Sequence, residues 1–216
     1  MSDHAKPCIS TRKEPQQARS NDLVAAILEG AVQVLVEEGA PRFTTARVAE
    51  KAGVSVGSLY QYFPNKAAIL FRLQADEWRQ SSEMLRAILE DDAPPEQRLR
   101  RMVHAFVRSE CEEAAVRRAL SDAAPLYRDA PEAKAARAEA EGLFDRFMEA
   151  LLPDATDAGR ALASDLISDT MSTVGKRFSE QPRTGAEIDA YAGAMADMFC
   201  AYVAARREGV TPDPAT

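Results

Sequence analysis

Between Thr44 and Phe63 the chain reads TTARVAEKAGVSVGSLYQYF, and small and hydrogen-bonding side chains gather there at a spacing suited to recognition. Leu59, Tyr62 and Phe63 stand at i, i+3, i+4 spacing and can pack inward together, which turns Gly57, Ser58 and Gln61 outward. Glycine and serine near a helix start are poor choices for stability but good ones for close approach to a DNA backbone. A face turned only to solvent would look similar. The chemistry on offer is therefore non-covalent: hydrogen bonds to a partner that comes close.

Covalent chemistry has little to stand on. The sequence contains no Gly-rich phosphate loop, no HExxH and no Ser/Cys–His order that suggests a nucleophile and its base. Cys8, Cys111 and Cys200 are far apart and odd in number, with no CxxC pair and no histidine at ligand spacing, so neither a disulfide framework nor a zinc site is expected. They read as reduced thiols, Cys111 and Cys200 within helical patterns as packing residues. No enzyme activity, metal or cofactor is expected.

The outward face needs elements to hold it. Two short helices locked at a steep angle require a small residue at the crossing, a glycine in the turn and apolar anchors inside. Ala49 fits the crossing, Gly53 the turn, and Val48, Ala52, Val54 and Leu59 the inner faces. The spacing predicts helices over about 45–52, with Thr44 as N-cap, and from Ser55 to about Phe63, before Pro64. Ahead of them Leu23, Val24, Ile27, Leu28, Ala31, Val34 and Leu35 predict a helix from Asn21 to Gly39. After them Asn65 caps a long helix that closes at Asp91–Pro95. Helices are predicted over about 96–110, 113–121, 125–152, 157–179 and 185–207, punctuated by Pro125, Pro153, Pro182 and Gly185. No stretch alternates with period two, so no sheet is expected.

The stretch Phe43–Leu70, FTTARVAEKAGVSVGSLYQYFPNKAAIL, resembles the DNA-binding signature of the TetR family of repressors, in the pattern AxxAGVSxGxLYxYFxxK. The similarity runs from Asn21 to about Arg72; beyond that the chain is similar only in length, helicity and acidity. It implies an all-α fold, with an N-terminal three-helix helix-turn-helix head joined by a long helix to a C-terminal helical bundle. It also implies roles at matching positions. Thr45, next to Thr44 at a helix start, matches a phosphate-contacting position. Ser55, Val56, Gly57 and Ser58 match the tip of a recognition helix in the major groove. Tyr60 and Lys66 match phosphate contacts, and Gln61 and Tyr62 lie at the edge of the interface. Tyr60 could instead be core, and Val56 could pack inside or touch a thymine methyl. Where some members read a guanine with arginine this chain has Ala46, so that contact is absent; Arg47 points to another face.

Charge supports the division. The net charge is −7, yet residues 11–75 carry eight basic and six acidic side chains against 18 and 27 after them. Such polarity suits a protein that turns one end to phosphates. The expected domains are a flexible basic arm over 1–20, a helix-turn-helix domain over 21–66 and a ligand-binding and dimerisation domain over 67–210. In the arm, Arg12, Lys13 and Arg19 have two readings, tracking a groove or standing solvated. A homodimer is expected through the last two long helices, which mix small residues with Leu162, Leu166, Met171, Ile188, Tyr191, Met195, Met198, Phe199 and Tyr202. The family resemblance further implies a small-molecule ligand of unidentified class, for which Trp78, Met102, His104, Phe106, Tyr127, Phe144, Met148 and Met171 are candidate lining residues, although most are equally suited to ordinary core. Double-stranded DNA is the expected partner. No apolar run reaches the roughly 18 residues of a membrane span, and no secretory signal opens the chain, so a cytoplasmic protein without membrane attachment is expected. A sequence-indifferent DNA-binding protein without an inducer is the alternative, and its mark would be a more basic head.

Overall fold

The computed structural model describes residues 18–207, and of residues 18, 19 and 136–141 the backbone alone. The N-terminal arm as far as residue 17, with Cys8, and the tail after 207 lie outside the described residues. Those that are described form nine α-helices and two short 3-10 turns, with no strand among them. The chain is all-α, as its periodicity predicts.

Helix α1, Ala18–Glu38, starts three residues before the expected Asn21 and buries Val24, Ile27, Ala31, Val34 and Leu35 along one face. It stops at Gly39, whose N–H still reaches the Leu35 carbonyl at 3.0 Å, before a 3-10 turn over Ala40–Arg42. Helices α2, Thr45–Lys51, and α3, Val56–Tyr62, are seven residues each. Between them Gly53 takes φ 66°, a left-handed conformation that other residues resist. The Val54 N–H then closes the turn onto the Ala49 carbonyl at 2.9 Å. Close packing of α1 on this turn depends on Gly30, since a Cβ there would stand 2.9 Å from the backbone nitrogen of Ala52. Helix α4, Lys66–Leu89, begins where Asn65 Oδ1 accepts the Ala68 N–H at 2.9 Å, the cap that the sequence suggests.

The remaining helices are α5, Pro95–Glu112; α6, Ala114–Ala123; α7, Pro131–Leu151; α8, Asp157–Phe178; and α9, Gly185–Arg207. One expectation fails here. The helix predicted over 125–152 begins at Pro131, and the stretch before it is a 3-10 turn, Ala124–Leu126, followed by a bend. Pro131 is the reason: proline has no N–H to give, so it is tolerated in the first turn of a helix and not six residues inside one.

Two compact units result, and the chain passes between them more than once. The first holds residues up to Gln80 together with Ala115–Ala138; the second holds Ser81–Ala114 and the chain from Glu139 on. In the second unit α5 runs antiparallel to α9, with Arg100 bonded to Asp197 at 2.5 Å and Arg108 to Asp189 at 2.6 Å. These exposed pairs set register more than stability. The binding energy comes from Leu99, Met102, Val103 and Val107 packed with Ile188, Met195, Phe199 and Val203. Helix α9 opens with a reciprocal cap: the Thr184 N–H donates to Glu187 Oε2 at 2.8 Å, and the Glu187 N–H to Thr184 Oγ1 at 3.3 Å. That hydrogen bonding also holds the Glu187 carboxyl below its ordinary range. Cys111 and Cys200 are free, half-buried thiols, and burial pushes both upward in pKa, as suits packing rather than reactive cysteines.

Candidate nucleic-acid interface

Seven-residue helices are too short to persist alone, so α2 and α3 owe their existence to caps and packing. Thr44 Oγ1 accepts the Arg47 N–H at 3.3 Å and Ser55 Oγ accepts the Ser58 N–H at 3.0 Å. On the inner side Val48, Ala49, Leu59 and Phe63 are fully or almost fully buried. That packing turns the other side outward. Ser55, Val56, Gly57, Tyr60 and Gln61 are exposed, and Ser58 is half-buried. Val56 thus lies outside the core, and so does Tyr60, 40% exposed.

The exposed hydroxyls are organised. Tyr60 Oη and Thr45 Oγ1 are hydrogen-bonded at 3.1 Å, which ties the start of α2 to the middle of α3. Ser55 Oγ and Ser58 Oγ are bonded at 2.8 Å at the tip of α3. Lys66 is exposed at the first residue of α4. The arrangement therefore presents paired hydroxyls, helix N-terminal N–H groups and an ammonium, all able to donate to anionic oxygens.

Of the two places expected for Tyr62, inner face or interface edge, the structure shows the inner one. Tyr62 is 7% exposed and belongs to the core with Leu59 and Phe63, because the i, i+3 spacing from Leu59 carries it inward. Arg47, on another face, is paired with Glu38 and donates to the Arg42 carbonyl at 3.2 Å. Lys51 meets Glu37 at 2.8 Å, and that hydrogen-bonded carboxylate raises its pKa. Two cations of the segment are thus engaged with the end of α1.

The eight candidate lining residues are divided between the two units. Trp78 and Tyr127 belong to the first unit; Met102, His104, Phe106, Phe144, Met148 and Met171 belong to the second. The three methionines are buried core, whereas His104, Phe106 and Phe144 are half-buried. Tyr127 is buried, and its hydroxyl stands 3.1 Å from both Gln74 Oε1 and the Leu120 carbonyl. The role of Tyr127 in the first unit, and of its neighbours Glu77 and Arg117, was not visible in the sequence, because the partners lie 40 or more positions apart and no local pattern joins them. A shallow depression of about 440 Å³ on α8, lined by Ser172, Thr173, Lys176, Arg177 and Glu180, contains none of the eight. Among the described residues no helix is long and apolar enough to cross a membrane, and no group of three His, Cys, Asp or Glu is placed to hold a metal.

Known proteins match on both units. The family model for bacterial regulatory proteins of the tetR family matches residues 27–73, and that for the tetracyclin repressor-like C-terminal domain matches residues 94–205. A fatty acid metabolism regulator protein of Bacillus subtilis is 32% identical over 73 residues, 34% of this chain and 38% of that protein. Nucleoid occlusion factor SlmA of Vibrio campbellii is 37% identical over 84 residues, 38% of this chain and 42% of its own. The chain thus spans about two fifths of the length of the curated relatives it matches. Among solved structures, the fatty acid degradation regulator FadR of Bacillus halodurans superposes with TM-score 0.65 at 19% identity, over 87% of this chain and 96% of that one. NalD of Pseudomonas aeruginosa, the secondary repressor of a multidrug efflux pump, superposes with TM-score 0.64 at 20% identity, over 85% and 96%. At such identities these structures speak for the fold.

Proposed function

Because this chain belongs to the TetR family of transcriptional regulators and carries its helix-turn-helix DNA-binding domain, we propose that it is a repressor that grips a palindromic operator as a homodimer and is released by a small molecule. The observation that carries the DNA-binding half is the outward face of α2 and α3, where Thr45 and Tyr60 hold each other at 3.1 Å beside the exposed tip of α3. In this reading Thr44, Thr45, Tyr60 and Lys66 contact phosphates, while Ser55, Val56, Gly57, Ser58 and Gln61 meet the major groove. Tyr62 supports them from the core.

One copy of so small a head contacts few base pairs, so two copies on a two-fold axis supply the specificity, with half-sites about 34–36 Å apart. Support for pairing through α8 and α9 comes from apolar side chains left uncovered there: Leu162 is 56% exposed, Leu166 48% and Met198 52%. The functional division follows residues 21–66 for DNA and 67–210 for dimerisation and ligand, in a cytoplasmic protein. The ligand is of unidentified class, with Met102, His104, Phe106, Phe144, Met148 and Met171 as candidate contacts in the second unit; it acts by favouring a form whose recognition helices do not match the operator.

Selection of random duplex DNA on the purified protein, followed by binding in excess competitor, tests this. Enrichment of a palindrome is expected. Binding that enriches no sequence and fades uniformly with salt would instead mark a sequence-indifferent DNA-binding protein.

A further inference from the structure

Helix α1 ends on two carboxylates, Glu37 and Glu38, with no basic side chain in its last turn. Acids there face the negative end of the helix dipole, so they do not serve the helix that carries them. Their partners lie across the turn on α2. Arg47 is paired with Glu38 and also donates to the Arg42 carbonyl at 3.2 Å, while Lys51 Nζ stands 2.8 Å from Glu37 Oε2. Arg47 and Lys51 are four residues apart and so share one side of α2. Both are engaged with the end of α1, away from the bonded hydroxyls of Thr45 and Tyr60.

The four side chains are 30% to 55% exposed, and exposed pairs of this kind add little to stability. Their effect lies in where positive charge stands. Helix α2 rises about 1.5 Å per residue, which puts Arg47 and Lys51 roughly 3 and 9 Å along the axis from Thr45. A Debye length is about 8 Å at physiological salt, so a duplex seated on the start of α2 feels a charge placed anywhere along it. Between residues 37 and 66 the chain carries four basic and three acidic side chains. Without Glu37 and Glu38 the same segment would meet DNA with a clear excess of positive charge, the mark of a sequence-indifferent binder.

We propose that Glu37 and Glu38 are specificity-determining residues, which hold Lys51 and Arg47 back from the phosphates and so keep the affinity for arbitrary duplex low. This rests on the reading that the head grips an operator. On random duplex, charge supplies nearly all of the affinity, and a head free to shift can bring added cations onto phosphates. On an operator the base contacts of α3 fix one seat, and side chains on the α1 side of α2 gain little there. The two carboxylates therefore sacrifice little operator affinity and remove much of the competition from other sequences.

The test uses the full-length protein, an operator obtained by selection and a random duplex of equal length. Glu37→Gln with Glu38→Gln should raise affinity for random duplex about tenfold at physiological salt, and steepen its salt slope by about 0.9 for each cation that reaches a phosphate. Operator affinity should rise no more than about twofold, so that discrimination falls about fivefold. Glu37→Gln alone, at the more exposed of the two side chains, should give roughly half of the change in slope and serves if the double variant does not fold. In an Arg47→Gln, Lys51→Gln background the same two changes should leave affinity and slope unmoved. Wild-type affinity and slope on random duplex in the double variant overturn the proposal. An equal gain on operator and random duplex overturns it too, and so does a gain that persists without Arg47 and Lys51, which would come from net charge alone. A wild type that binds random duplex but enriches no operator fails the repressor reading alone, and the salt slopes still decide whether the carboxylates hold the cations back. If wild type and double variant both bind no duplex, the DNA reading falls and this proposal with it.

Discussion

Helices α2 and α3, seven residues each, and helices α8 and α9, of 22 and 23 residues, turn opposite chemistries outward. The short pair is held from without, by two side-chain caps, the Gly53 turn and a few buried anchors, and what it exposes is mostly small or polar, with Gly57, Tyr60 and Gln61 on α3. The long pair is held by its own burial of Ala163, Ile167, Ile188, Met195 and Phe199, and yet it still exposes Leu162, Leu166 and Met198. Hydroxyls and helix N-termini lose little by facing water and gain by meeting phosphate. Exposed leucines gain only by being covered. The contrast teaches that the two faces suit different chemistries, polar and anionic partners at one and apolar cover at the other, which is the division the proposed function uses.

The contrast breaks first at the long helices. Leu162→Arg combined with Leu166→Arg should convert a dimer into a monomer in sedimentation velocity and lower operator affinity at least a hundredfold, about 3 kcal/mol. Both side chains are exposed in the single chain, so the helical circular dichroism should not change. A double variant that remains dimeric at micromolar concentration would remove the proposed interface.

At the short helices the expected effect is smaller and of another kind. Lys66→Ala should weaken binding about tenfold, near 1.4 kcal/mol, for operator and random duplex alike, and reduce the salt slope of log affinity by about 0.9 because one counterion fewer is released. Tyr60→Phe should also weaken both, with no change in slope, since a hydroxyl displaces no counterion. Equal slopes for wild type and Lys66→Ala would place the ammonium off the phosphates.

Legibility in the sequence followed the same divide. The caps at Thr44, Ser55 and Asn65, the stop at Gly39 and the turn at Gly53 were readable because each is a local event with its own residue type. The ends of α8 and α9 came through for the same reason. Tyr62 could be read two ways, as anchor and as edge contact, and only its 7% exposure decides between them. Pro131 stands amid a run of good helix formers, so the pattern places the start of α7 at residue 125, six residues early. What no local pattern could show is that Leu120 and Tyr127 belong to the same core as Leu59, some 60 positions away in the chain. A periodic stripe says that a face is buried and nothing about what buries it.

Glycine sharpens the comparison further, because the head uses it in two opposite ways. At Gly30 a Cβ would press on the Ala52 backbone nitrogen at 2.9 Å, an atom that cannot move without shifting the turn. Gly30→Ala gains about 1 kcal/mol of helix propensity but incurs a clash of about 1–3 kcal/mol. Thermal unfolding should therefore show a net loss of about 1 kcal/mol. An unchanged or higher Tm would mean that α1 and the turn are less tightly joined than the distance implies.

Gly57 has the opposite character. A Cβ there would stand 3.7 Å from Ser55 Oγ, an ordinary contact, and the residue is exposed in the first turn of α3. Nothing within the chain asks for glycine. Its backbone freedom in the unfolded state weakens the helix by about 0.5 kcal/mol relative to alanine, so Gly57→Ala should raise Tm slightly. If the tip of α3 enters the major groove, the added methyl stands where DNA comes closest, and operator affinity should fall severalfold as stability rises. Opposite signs in the two measurements cannot come from a folding defect, which would lower both. Should Gly57→Ala bind its operator as tightly as wild type, the closest approach lies elsewhere on the face, and Val56 and Gln61 become the side chains to vary next.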